Sequence, residues 1–312
     1  MNATNAPAAI EVTGMSRRYG RATALEDVSV SFAKDQIHGL LGRNGAGKTT
    51  LMSIIAAQDW PTKGEVKVLG HTPHENEQVL PKICFVREDQ RYPDDALARH
   101  AFRAASAAFA KWDWDYAQRL IADFRVPEKT KLKKMSRGQK SAVAVIIGLA
   151  SRAEVTFFDE PYMGLDAVAR QVFYDRLLED YAAHPRTVIL SSHLIDEIAH
   201  LIENVVLIDS GRVILDEPVE ALRDRAITLV GRADAVAEMT AGREVLSDET
   251  MGRISRTTVL GGLTDHQMKR VQELDLDLQP VSLQQLIVRL TNRHSKNEHR
   301  HDVPRDQGEG EK

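Results

Sequence analysis

Residues 42–49 read Gly-Arg-Asn-Gly-Ala-Gly-Lys-Thr, which satisfies the spacing G-x-x-x-x-G-K-[ST]. Those residue types at that spacing bind phosphate. Glycine lets the backbone curl until successive amides point at one anion. A helix that begins directly after the loop adds the positive end of its dipole. Gly42, Arg43, Asn44, Gly45, Ala46, Gly47, Lys48, Thr49 and Thr50 are therefore the candidate phosphate cradle. Within it Lys48 reaches the β- and γ-phosphates, and the Thr49 hydroxyl is a ligand for Mg²⁺.

Further short segments carry groups suited to chemistry. Asp159-Glu160 ends the apolar run Val155-Thr156-Phe157-Phe158, so two carboxylates stand at the end of a buried strand. His193 follows Ser191-Ser192 at the end of a similar run, Thr187-Val188-Ile189-Leu190. Met135-Ser136-Arg137-Gly138-Gln139 opens an apolar helix with a hydroxyl and free amides, a second place suited to a phosphate. Gly164-Leu165-Asp166 follows the carboxylates, and Tyr19-Gly20 precedes the loop.

These residues need elements to hold them. Residues 36–41 read as the strand that feeds the loop, and 51–57 as the first turns of a buried helix. From residue 10 to about 57, short strands alternate with turns, and 64–70 is a further strand. The Ala-rich block 95–126, with Trp112 and Trp114, reads as an all-helical insert, followed by an apolar helix over 139–150. Residues 205–215 read as a hairpin about Asp209-Ser210-Gly211. Strands separated by helices predict a parallel α/β core. After about Leu222 the pattern restarts with strands at 227–230 and 257–260, helices at 233–240 and 265–274, and an amphipathic helix at 282–290. The predicted organisation is a flexible tail over 1–9, a nucleotide-binding domain over 10–222 with a helical subdomain at about 92–152, an accessory α/β module over 223–292, and a disordered polar tail over 293–312. The tail's His294, His299 and His301 leave a metal site open beside the plainer reading of a solvated tail.

Composition bounds the rest. The chain has 312 residues, 43% of them hydrophobic and 28% charged, the proportions of a soluble globular protein. A net charge of −4 gives no general affinity for nucleic acid. The single cysteine, Cys84, has no internal partner for a disulfide, which fits a reducing cytosol. The first residues show no signal peptide, and the longest near-apolar run, 142–150, is too short to span a membrane.

Taken in their order, these segments resemble the ATP-binding subunit of an ATP-binding cassette (ABC) transporter over about residues 10–220. The resemblance implies a P-loop α/β core with a helical subdomain, to which the C-terminal module is added. It implies ATP and Mg²⁺ as cofactors. It makes Asp159 a holder of Mg²⁺ through water and Glu160 the general base for the attacking water. His193 becomes the contact to the γ-phosphate, Tyr19 the platform for adenine, and Asp166 part of the loop at the subunit contact. Ser136, Arg137, Gly138 and Gln139 become the signature loop, which closes on the ATP of an opposite subunit. One chain then holds half of each site, and two must meet head to tail, as a homodimer or a heterodimer.

The sequence departs from the family pattern in three places. The signature reads Met-Ser-Arg-Gly-Gln, with the Ser-x-Gly core kept. The Mg²⁺-contacting glutamine aligns with Glu88, and Gln90, two residues on, is the other candidate. Tyr162-Met163 stands where Thr-Ser is more usual, which bears on a subunit-contact hydroxyl and not on catalysis. The implied partner is a membrane-spanning permease, which holds the chain at the inner face of the cell membrane and receives it near residues 89–101. Residues 280–291 are similar to the closing helix of ATPases from bacterial drug, antibiotic and peptide exporters. An importer ATPase, or a soluble ABC ATPase with a regulatory role, stands as the alternative.

Overall fold

Apolar and polar residues alternate along the first two strands, so each buries one face. They form a hairpin, β1 (Ala8–Tyr19) and β2 (Ala22–Ala33). Each is 12 residues long, more than the short strands expected there. Ala8 and Ala9 belong to β1 and Ala9 is buried, so the expected tail over 1–9 is too long by at least these two residues. The computed structural model describes residues 7–87, 90–93, 95–223, 225–289 and 291, and the expected tail over 293–312 lies outside them. The chain divides after Val219 into two compact units.

In the first unit the chain runs from the hairpin into β3 (Ile37–Leu41), the phosphate loop, α1 (Lys48–Ile55), β4 (Lys63–Val68) and β5 (Ile83–Arg87). The helical block follows as α2 (Ala98–Ala108), α3 (Trp114–Asp123) and α4 (Arg137–Ala150). Then come β6 (Val155–Asp159), α5 (Ala167–Ala183), β7 (Thr187–Ser192), α6 (Ile195–Ile198), β8 (Asn204–Asp209) and β9 (Arg212–Pro218). Two sheets result. One is antiparallel, in the order β2-β1-β4, and the other has six strands in the order β5-β6-β7-β3-β8-β9. Neighbours from β5 to β8 are parallel, and β9 returns antiparallel to β8. β3, β6 and β7 are buried at every position, as strands covered on both faces must be, and this is why they read as continuous apolar runs.

Helix α1 lies within the core shared by both sheets. Its Leu51, Met52, Ile54 and Ile55 join Ile10, Phe32 and Val68 of one sheet and Leu40, Phe157 and Ile189 of the other. The opposite face of the six-stranded sheet is covered by α5, whose Phe173 ring meets Phe158 of β6 at 5.2 Å. A helix clamped between two sheets gives the phosphate loop a rigid base.

The second unit begins with α7 (Val219–Arg223), which the division after Val219 crosses. It continues as β10 (Ala226–Arg232), α8 (Ala233–Thr240), β11 (Val245–Met251), β12 (Ile254–Leu260), α9 (Asp265–Glu273) and β13 (Asp277–Pro280). The sheet is antiparallel in the order β11-β12-β10-β13, a split βαββαβ arrangement. Leu229 and Val259 of the sheet pack with Val236 and Met239 of α8 and Val271 of α9. Residues 283–289 are helical, and Leu283, Leu286 and Ile287 are buried. Strand β11 carries no apolar alternation, which is why the sequence gives no sign of it: most of its side chains are exposed.

Candidate functional site

The phosphate loop leaves β3 at Gly42 and enters α1 at Lys48. A Cβ at Gly42 would lie 2.2 Å from the Ile208 carbonyl oxygen, and Gly47 holds φ at 110° with the Ala24 carbonyl where a Cβ would stand. The loop shape therefore requires glycine at both positions. Lys48 is buried, and its ammonium donates to the carbonyl oxygens of Gly42 at 2.8 Å and Arg43 at 3.2 Å. Its charge is held over the loop by the loop's own backbone.

A cavity of about 290 Å³ opens here, lined in part by Asn44, Lys48, Thr49, Asp159, Glu160 and His193. The sequence-predicted residues at three separate places in the chain thus meet around one space. Gly45, Gly47 and Thr50 also line it, with Met163, named in the sequence only as a departure from the family pattern, and Ala24, which sequence reasoning did not single out. Gly42, Arg43 and Ala46 shape the loop from outside the cavity wall; Ala46 is buried, and its carbonyl accepts from Gly211 N–H at 2.9 Å.

The carboxylates end β6 and have different partners. Thr49 Oγ1 donates to Asp159 Oδ2 at 2.7 Å, and Ser191 Oγ donates to Asp159 Oδ1 at 2.7 Å. Burial pushes the Asp159 carboxyl up, and the hydrogen bonds from Ser191 and Thr49 oppose the shift. Thr49 and Asp159 offer adjacent hard oxygens facing a phosphate cradle, the donor chemistry that suits Mg²⁺. Glu160 begins the next turn at φ 50°, a left-handed conformation rare outside glycine, and its amide donates to Ser191 Oγ at 2.9 Å. Glu160 Oε2 lies 2.6 Å from His193 Nδ1, and Oε1 lies 3.5 Å from Lys48 Nζ. Ser191 ties the Asp159 carboxylate and the Glu160 backbone to β7, and was read only as context for His193.

Tyr162 is the larger omission. Its hydroxyl donates to Glu160 Oε2 and accepts from the His193 amide at 3.0 Å. Burial, and then the Glu160 charge, push the phenol well above its ordinary range, so it stays a proton donor. The departure from Thr-Ser therefore places a hydroxyl directly on the Glu160 carboxylate.

The signature segment sits elsewhere. Ser136 caps α4, accepting from Gln139 N–H at 3.2 Å while the Gln139 side chain accepts from Ser136 N–H at 3.1 Å, a reciprocal capping box. Ser136 and Arg137 are exposed, and no residue of 136–139 lines the cavity. A Cβ on Gly138 would lie 2.5 Å from the Gly164 carbonyl oxygen, and Ser141 Oγ donates to the Met163 carbonyl at 2.6 Å. The signature helix is thus interlocked with the turn that follows Glu160. Asp166 caps α5 by accepting from Ala169 N–H at 2.8 Å. Tyr19 is half-exposed at the end of β1, outside the cavity wall. Its hydroxyl donates to Asp59, and the Arg17 guanidinium covers one ring face at 4.4 Å. Gln90 is exposed, and Glu88 lies outside the described residues.

The sequence profile of the ABC transporter family matches residues 25–163, which span the loop, the signature and both carboxylates. Residues 25–163 therefore carry an ABC transporter ATP-binding domain. The chain is similar to the aliphatic sulfonates import ATP-binding protein SsuB 1 of Rhizobium johnstonii, 29% identical over 229 residues, 71% of this chain and 81% of that protein. It is equally similar to the doxorubicin resistance ATP-binding protein DrrA of Mycobacterium tuberculosis, 29% identical over 231 residues, 70% of this chain and 68% of that protein. Among solved structures, an ATP-binding subunit of an ABC transporter superposes with a TM-score of 0.62 at 23% identity, over 69% of this chain and 92% of the other. The domain therefore has the P-loop α/β fold of an ABC ATPase. Among the chain's described residues no helix is long and apolar enough to cross a membrane.

Proposed function

We propose that this ABC ATPase drives export of a drug, antibiotic or peptide through a separate membrane-spanning permease, hydrolysing MgATP between two head-to-tail subunits. The observation that carries the head-to-tail reading is the separation of the signature loop from the phosphate cavity. Ser136 and Gly138 present a helix N-terminus outward, while the cavity of the same chain has no signature residue in its wall. An ATP held by one chain gains its second phosphate clamp from the other. Lys48 and the loop amides bind the β- and γ-phosphates. Thr49 and Asp159 would hold Mg²⁺, which would supply neutralisation of charge on the transferred phosphoryl group. Glu160 accepts the proton of the attacking water, and His193 orients that water and contacts the γ-phosphate. Tyr19 offers its uncovered face to adenine. Opening and closing of the dimer transmits the work to the permease, with the chain held at the inner membrane face.

The export direction is supported by the closing helix at 283–289 and by likeness to a doxorubicin resistance ATPase; likeness to a sulfonate importer favours the alternative. Two measurements test the reading. Glu160→Gln keeps shape and removes the base, so ATP is expected to bind without turnover and to hold two chains together in gel filtration. Inverted vesicles carrying this chain with its membrane-spanning permease are expected to accumulate a cationic drug on ATP addition. Uptake by right-side-out vesicles instead would make the chain an importer's motor.

A further inference from the structure

Tyr162 stands between the catalytic carboxylate and the glycine turn, and it is almost fully buried. We infer that Tyr162 is a positioning residue for Glu160: its hydroxyl fixes one carboxylate oxygen so that the other, Oε1, faces the water at the γ-phosphate. This rests on the reading of Glu160 as the base.

A phenol has one proton to give and two lone pairs to fill. Ser192 Oγ donates to the Tyr162 oxygen at 3.0 Å, and the His193 amide donates at 3.0 Å. Leu194 N–H in turn donates to Ser192 Oγ at 2.8 Å, which directs the Ser192 hydroxyl proton toward the phenol. With both lone pairs taken, the phenol proton goes to Glu160 Oε2. His193 Nδ1 lies 2.6 Å from the same oxygen. Oε2 is thereby held by groups from the end of β7 and from its own turn. Oε1 is buried with no hydrogen-bond partner, in the cavity wall that Lys48 and Thr49 share. A buried carboxylate oxygen left without a donor is costly, and such an atom is ready to accept a proton from a water placed beside it. Without the phenol, only His193 at Oε2 and the longer Lys48 contact at Oε1 oppose rotation of the carboxylate, and the direction of Oε1 is loosened.

The test uses the full chain with Tyr162→Phe, which keeps the ring and its packing. Phosphate release is expected to show kcat down roughly tenfold, the size of one hydrogen bond to a charged group, with KM for ATP within about twofold. ATP affinity by calorimetry and the melting temperature are expected to match wild type. In a Glu160→Gln background, Tyr162→Phe is expected to lower the residual rate no further, because the two act as one unit. A wild-type kcat in Tyr162→Phe overturns the inference. So does a joint fall of kcat, ATP affinity and melting temperature, which is the mark of lost packing. So does an undiminished effect in the Glu160→Gln background. Wild-type turnover by Glu160→Gln alone would remove the reading of Glu160 as base, and the inference with it.

Discussion

At the scale of the residue, the site is built from side chains that do two jobs. Lys48 brings a positive charge to the cavity wall and also ties Gly42 and Arg43 into the loop shape. Lys48→Ala is therefore expected to weaken ATP binding by about 10- to 100-fold, the size of one or two charged hydrogen bonds, while β3 and α1 keep their positions. Calorimetric titration with ATP checks this, and unchanged affinity would refute the assignment of the loop. Lys48, Asp159 and Glu160 were legible because their types and spacing are local. Ser191 and Tyr162 were not, because a hydroxyl carries no role until its partners are known. Ser191 meets Asp159 across 32 positions of sequence, and Tyr162 meets His193 across 31.

At the scale of the element, one buried network fixes the helices around the sheet. Asp180 of α5 pairs with Arg186 at 2.6 Å and with Arg152 at 2.9 Å, and Arg152 also reaches Asp113, the cap of α3, at 2.8 Å. Asp180 and Arg186 are both buried, so removing the carboxylate leaves cationic charge without compensation. Asp180→Asn is expected to cost roughly 3–5 kcal/mol in urea unfolding, with ATP affinity retained in the molecules that stay folded. Most of these elements were legible from apolar periodicity. Their extents were less so: β1 and β2 run 12 residues because each is paired along its length, and pairing is not a property of either segment alone. β11 left no trace because an exposed edge strand has no face to mark in the sequence.

At the scale of the whole molecule, the proposed completion of the site in trans would have a consequence that no single chain can show. Ser136→Arg blocks the signature but leaves the chain's own cradle intact, at the cost of a helix cap worth about 1 kcal/mol. Lys48→Ala does the reverse. Each variant alone is expected to be inactive. Mixed, they are expected to regain part of the rate, since one of two composite sites then has both halves. Wild-type ATPase rate per chain is expected to rise with protein concentration. A concentration-independent rate from a monomer shown by ultracentrifugation, with no rescue on mixing, would exclude the head-to-tail site.

The sequence by itself determined the glycine loop, the two carboxylates at a strand end, the parallel core and the likeness to ABC transporter ATP-binding domains. Each of these is written in short segments whose spacing is set by a loop, a strand end or a helix start. Only the tertiary structure decided that α1 is clamped between two sheets, that the signature helix interlocks with the turn after Glu160, and that Tyr162 holds the carboxylate. The physical reason is that these are contacts between surfaces. A segment's pattern states which face it will bury, and not which atoms of another segment it will meet there.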